Sequence, residues 1–153
     1  MTCVMCAWTP ENKVYRFVFE TRHWVGILAP NQCLLGRCIV HLKRHAGDLA
    51  DLRQEELLDW LEMVRMVEKA LRSAFGATMF NWSCYMNLAY RDSVPDPHIH
   101  WWAVPRYDHP VRIGDWTFED PEFGGPYSHD RWLEVPPEIH QEIAARVRQS
   151  FLG

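Results

Sequence analysis

Two short stretches of this chain carry side chains whose types and spacing could do chemistry. The first is His98-Ile99-His100-Trp101-Trp102-Ala103, set between Val94-Pro95-Asp96-Pro97 and Val104-Pro105-Arg106-Tyr107. Side chains alternate along an extended strand, so His98, His100 and Trp102 share one face, and Ile99, Trp101 and Ala103 share the other. A neutral imidazole can ligate zinc, act as a general base or attack phosphorus. The face is therefore either a metal or phosphate site or an unusual piece of core. The second stretch is Cys3-x-x-Cys6. Two thiolates at this spacing fit one tetrahedral zinc, with two more ligands drawn from elsewhere in the chain. A redox pair would normally open a helix behind a strand instead. His45 and one histidine of the H-x-H could complete a Cys2His2 set and pin the N-terminal segment to the strand.

These groups need a scaffold, and 153 residues suffice for one domain with a single buried core. The net charge of −4 comes with no long basic run, which disfavours nucleic acid as a partner. No apolar run approaches the roughly 20 residues of a membrane span. The first residues lack the basic region and apolar core of a secretory signal. Five cysteines, an odd number at scattered positions, do not make a disulfide framework. Together these features predict a cytoplasmic protein. Eight tryptophans are many for this length, and some should line a pocket or interface.

Strand character runs from Val14 to Glu20, Trp24 to Leu28, Gly36 to Leu42 and Thr78 to Asn87, and through the histidine motif. A long helix lies between the third and fourth strands. Asp48 or Asp51 can cap it, and Asp51 with Gln54 resembles a capping box. Leu57, Leu61, Val64, Val67, Leu71 and Phe75 recur at helical spacing, with Glu55, Glu56, Asp59, Glu62, Arg65 and Lys69 on the wet side. Gly76 supplies its stop. After Tyr107 the chain reads as irregular until a last helix opens at Pro136-Pro137-Glu138, with Ile139, Ile143, Val147 and Phe151 on one side. This order predicts an α+β fold: an antiparallel sheet of about five strands, one long central helix and a C-terminal helix. His41 reads as structural, and His109, His129 and His140 as surface residues.

Pro97-His98-Ile99-His100-Trp101-Trp102-Ala103-Val104-Pro105-Arg106-Tyr107 resembles the motif of the histidine-triad (HIT) superfamily, in which three histidines occupy alternate strand positions. The likeness extends to Cys3-x-x-Cys6, found in many bacterial members of the diadenosine polyphosphate hydrolase-like branch, and to the segment from Gly36 through His45 to Leu57. It covers about residues 3–107 and leaves 108–153 as an extension of the same domain. The resemblance implies a dimeric nucleotide hydrolase or nucleotidyl transferase with a nucleotide as its small-molecule ligand. It makes His100 the nucleophile, and Cys3, Cys6, His45 and His98 the ligands of a structural zinc. Asn87 falls where the family places a phosphate-contacting amide. Ser93 could add a hydroxyl, and Asn31 lies near the expected nucleoside side.

Trp102 departs from the pattern, because the family has His there, or Gln in its transferase and phosphorylase branches. An indole donates one hydrogen bond and accepts no proton. Its ring either packs as core or walls the nucleotide pocket. Three outcomes follow for function. The first is hydrolysis of a nucleoside polyphosphate or dinucleotide through a nucleotidyl-histidine. The second is a zinc-stabilised nucleotide-binding protein with weak or no catalysis. The third is a nucleotidyl transferase or phosphorylase.

Overall fold

The computed structural model describes residues 3–153. A four-residue helix α1 (Val4–Ala7) precedes strands β1 (Arg16–Glu20), β2 (Trp24–Leu28) and β3 (Cys38–Leu42). Helix α2 (Gln54–Phe75) follows, then β4 (Met79–Ser83), β5 (His100–Arg106), β6 (Val111–Ile113), β7 (Trp116–Phe118) and α3 (Pro137–Leu152). The first five strands form one antiparallel sheet in the order β1-β2-β3-β5-β4. The fold is α+β, as expected, with the motif strand β5 inside the sheet. Its strands are shorter than the sequence suggests: β1 starts at Arg16 rather than Val14, β3 at Cys38, and β4 ends at Ser83.

The two sheet faces have different covers. Trp24, Leu28, Cys38, Val40, Leu42 and Ala103 pack with Met63, Val67, Leu71 and Phe75 of α2 and with Ile143, Ala144 and Val147 of α3. The opposite face carries Val25, Ile27 and Ile39, against which Met5, Trp8, Phe17 and Trp102 pack. Further along it, Cys33, Leu34 and Val104 meet Tyr127 and Leu133 of the extension. The motif face is thus bordered by the N-terminal segment on one side and the extension on the other.

Helix α2 departs from its sequence reading in two ways. Its N-cap is Arg53, whose backbone N–H donates to Glu56 Oε2 at 2.8 Å. Asp48 instead caps the short turn Leu49–Asp51, its Oδ1 accepting from Ala50 N. The buried stripe is also rotated from the expected one. Glu56 is buried, while Leu57 and Leu61 are exposed. The carboxylate can be buried because Arg44 holds it with two bonds, at 2.6 and 2.8 Å, an arrangement that periodicity cannot reveal. Gly76 ends the helix in the left-handed conformation, at φ 72°.

The extension is more regular than expected. Strands β6 and β7 form a hairpin around Gly114-Asp115, with Gly114 at φ 57°. Three-residue strands are too short to show a period. His140 is another correction: it is buried rather than on the surface. Its Nε2 lies 2.9 Å from Ala29 O, and Nδ1 accepts from Arg16 Nε at 3.1 Å.

Candidate functional site

Four side chains meet where the start of the chain, the segment after β3 and the entry to β5 converge. The ligand atoms of Cys3, Cys6, His45 and His98 all lie within 4.8 Å of one another. His98 Nδ1 is 3.2 Å from Cys3 Sγ and 3.5 Å from Cys6 Sγ, and His45 Nδ1 is 3.4 Å from Cys6 Sγ. A tetrahedron with Zn–S of about 2.3 Å and Zn–N of about 2.0–2.1 Å has edges of roughly 3.3–3.8 Å. The three spacings of 3.2, 3.4 and 3.5 Å sit close to that range.

The outer contacts orient both rings for the same task. His98 Nε2 lies 2.7 Å from Leu42 O, and His45 Nε2 lies 3.0 Å from Asp96 Oδ1. Each oxygen is an acceptor, so Nε2 carries the proton and the Nδ1 lone pair faces the thiols. Burial, followed by the hydrogen bond and charge of Cys3, pushes the Cys6 thiol up to about 11. A cation entering the cluster would displace that proton and relieve the repulsion between the two sulfurs.

One residue pair links this cluster to the candidate nucleophile. His100 Nδ1 donates to the main-chain oxygen of His98 at 2.8 Å. A carbonyl can only accept, so neutral His100 holds its proton on Nδ1 and leaves Nε2 bare. Its half-buried ring lies on the sheet face opposite the helices. His41, its cross-strand partner on β3, is buried on that same face with Nε2 unpartnered.

Trp102, half-buried, lies on the face of His100, opposite Ile39 across the ladder. The Arg37 guanidinium sits over its ring, 4.1 Å from the centroid. Trp101 points to the helix side, 4.7 Å from the Trp60 ring. Asn87 opens the short turn Asn87–Arg91 between β4 and β5, and Ser93 follows in the same connection; both are exposed. Asn31 has a different job. It is buried, its Oδ1 accepts from Cys33 N and Leu133 N, and its Nδ2 donates to Arg131 O. That amide ties the extension to the sheet and is not free for a ligand.

Sequence reasoning missed Asp96 behind His45 and Arg37 over Trp102. The position of Asp96 between two prolines, just ahead of the motif, was an available signal. Arg37 had none, since its contact depends on the register of β3 against β5.

No family model matches the sequence, and no curated protein matches it. Solved structures do match by shape. A zinc-bound histidine triad family protein from Mycobacterium smegmatis is 22% identical, covering 89% of this chain and 83% of its own, at a TM-score of 0.56. A hypothetical histidine triad nucleotide-binding protein from Sulfolobus tokodaii is 18% identical, with 98% and 92% covered and a TM-score of 0.68. A histidine triad protein from Marinobacter aquaeolei is 15% identical, with 91% and 90% covered and a TM-score of 0.69. At these identities the likeness shows the fold, which is that of histidine triad proteins.

Proposed function

We propose that the chain is a nucleotide hydrolase of the histidine-triad type, acting on a nucleoside polyphosphate or a dinucleotide such as a diadenosine polyphosphate. The observation that carries this is the His100 Nδ1 bond to His98 O, which fixes the tautomer with Nε2 available to attack. In the first step Nε2 adds to the α-phosphorus and the P–O bond to the leaving phosphate breaks, its electron pair leaving with that oxygen. The imidazolium so formed keeps its Nδ1 proton against the carbonyl, which stabilises the developing charge. In the second step water attacks the phosphorus, the P–N bond breaks with its electron pair returning to Nε2, and nucleoside monophosphate leaves while the proton of the water passes to solvent. Asn87 and Ser93, on the connection leading to β5, are the substrate-side polar groups, and Trp102 walls the pocket. The shared fold of a hypothetical nucleotide-binding protein from Sulfolobus and of a zinc-bound protein from Mycobacterium supports this reading.

The metal in this proposal is one zinc on Cys3, Cys6, His45 and His98, closed by four protein ligands and therefore structural. It would hold His98, and through its main chain the orientation of His100. Elemental analysis of protein purified without chelator should find about one zinc per chain by the four-ligand count, and Cys6→Ser should lower it. The working unit is a homodimer. Its site of action is cytoplasmic, in keeping with five free cysteines and with the lack, among the described residues, of a helix long and apolar enough to cross a membrane.

The test is release of nucleoside monophosphate from a diadenosine polyphosphate. His100→Ala and His100→Asn should remove it. Trp102 at the third triad position favours a second reading, a nucleotide-binding protein without turnover. Binding with no turnover above that of His100→Ala would establish the second reading, and a large gain of activity in Trp102→His would mark Trp102 as disabling. Turnover that requires inorganic phosphate would instead identify a phosphorylase.

A further inference from the structure

Trp102 stands where the pattern calls for an imidazole, and a cation lies over its ring. The Arg37 guanidinium lies over the Trp102 ring at 4.1 Å from its centroid, on the sheet face that carries His100. Its Nε is buried with no hydrogen-bond partner, and none of the ion pairs among the described residues includes it. By contrast, Arg44 and Arg106 have carboxylates at 2.6 Å. A half-buried guanidinium without a counter-charge, held flat by cation–π stacking, is preorganised for a phosphate oxygen or another anion. Burying it unpaired costs stability, and a bound anion would offset that cost.

Resting on the hydrolase reading, we propose that Arg37, stacked on Trp102, forms an anion subsite that receives the departing phosphate group and selects leaving groups that leave as anions. An imidazole at the third triad position could hand a proton to a departing amine or alkoxide, whereas Trp102 and Arg37 cannot. A permanent cation instead stabilises the electron pair that collects on a phosphate oxygen when the bond to the α-phosphorus breaks. A phosphate or polyphosphate needs no proton to leave. An amine does, because a P–N bond cannot break to an amide anion in water. The pair would favour phosphoanhydrides over phosphoramidates, which gives Trp102 a function in substrate selection rather than only a lost one.

The experiment uses zinc-loaded full-length protein and two variants, Arg37→Gln and Arg37→Lys, whose thermal unfolding is checked beside wild type. Inorganic pyrophosphate binding is measured by calorimetry. Turnover is measured on a diadenosine polyphosphate and on adenosine 5′-phosphoramidate. Arg37→Gln should weaken pyrophosphate binding at least about 10-fold and slow the polyphosphate reaction about 100-fold, leaving the slower phosphoramidate reaction within a few-fold. Arg37→Lys, which keeps the charge without the planar fork, should fall between, and it decides the matter if Arg37→Gln fails to fold. Pyrophosphate binding that is absent in wild type or unchanged in a folded Arg37 variant overturns the subsite, as does equal slowing of both reactions. If wild type turns over neither substrate but binds pyrophosphate in an Arg37-dependent way, the subsite stands and the hydrolase reading fails.

Discussion

At the scale of single residues, His41 is the side chain whose environment is hardest to reconcile with its chemistry. It lies opposite His100 on the ladder, 5.8 Å from the His98 ring and 5.8 Å from that of Trp8. Burial pushes its pKa down to about 4; its contact with Leu42 O opposes this, while His98 and His100 add to it. An unfolded histidine titrates near 6.5, so between about 6.5 and 4 the unfolded chain takes up a proton that the folded one refuses. This contribution to stability is therefore intact above the unfolded value and is lost as pH falls through that window. His140 acts in the same direction, its pKa lowered mainly by burial. We expect the urea midpoint of zinc-free protein to drop as pH is lowered from 7.5 to 5. His41→Val should flatten that slope and raise stability at pH 7.5 by about 1 kcal/mol, because it removes a buried unpartnered nitrogen from a cluster of Val25, Ile27 and Ile39. A valine variant less stable than wild type at pH 7.5 would show that the His41 Nε2 is satisfied in solution. Such details were not legible in the sequence. Cys3-x-x-Cys6 and His98-x-His100 are visible because their spacing is local, whereas the neighbours of His41 and Arg37 come from strand register.

At the scale of elements, Arg106 holds the extension to the sheet. The last residue of β5, it is almost fully buried and uses every N–H of its guanidinium. Nε and Nη2 donate to Asp120 at 2.6 and 3.1 Å, Nη1 to Asn81 Oδ1 and Gly125 O, and Nη2 also to Glu122 O. Removing one partner of such a pair strands the other charge in the interior, which costs about 3–5 kcal/mol. Arg106→Met should therefore unfold at much lower denaturant and expose residues 119–127 to limited proteolysis. Arg106→Met combined with Asp120→Leu should recover part of the loss, because no charge is then left unpaired. A double variant as unstable as the single one would place the cost in the lost main-chain bonds instead. The Pro105-Arg106 pair stands out in the sequence, but its partners are 14 to 25 residues away, and all except Asn81 lie in the irregular part of the extension. The same limit hid the β6–β7 hairpin and the Arg44–Glu56 pair that turns the expected face of α2.

At the scale of the whole molecule, the order of long elements was readable because each has its own period, whereas the sheet order was not, because β3 pairs with β5 across the intervening α2 and β4. The exposed apolar stripe of α2 is the informative misfit. Leu57, Leu58 and Leu61 are 50%, 59% and 42% exposed. Further along the helix, Glu68 accepts from Trp82 Nε1 and Arg72 stacks over Phe80, so this side of α2 overhangs β4. β4 is an edge of the sheet and, among the described residues, no strand pairs with its outer side. An open edge beside exposed leucines suits a two-fold partner. Two copies joined β4 to β4 would continue the sheet and cover the leucines of both helices, each copy using the same patch. Sedimentation equilibrium should give twice the mass of the chain. Leu57→Glu with Leu61→Glu should shift it to a single chain with little change in protomer secondary structure, because neither side chain is in the core. Leu152→Glu, at a position 90% exposed near the end of α3, should leave the mass unchanged. A wild-type protein that sediments as one chain at micromolar concentration would remove the dimer. A double-glutamate variant that remains dimeric would move the interface away from α2.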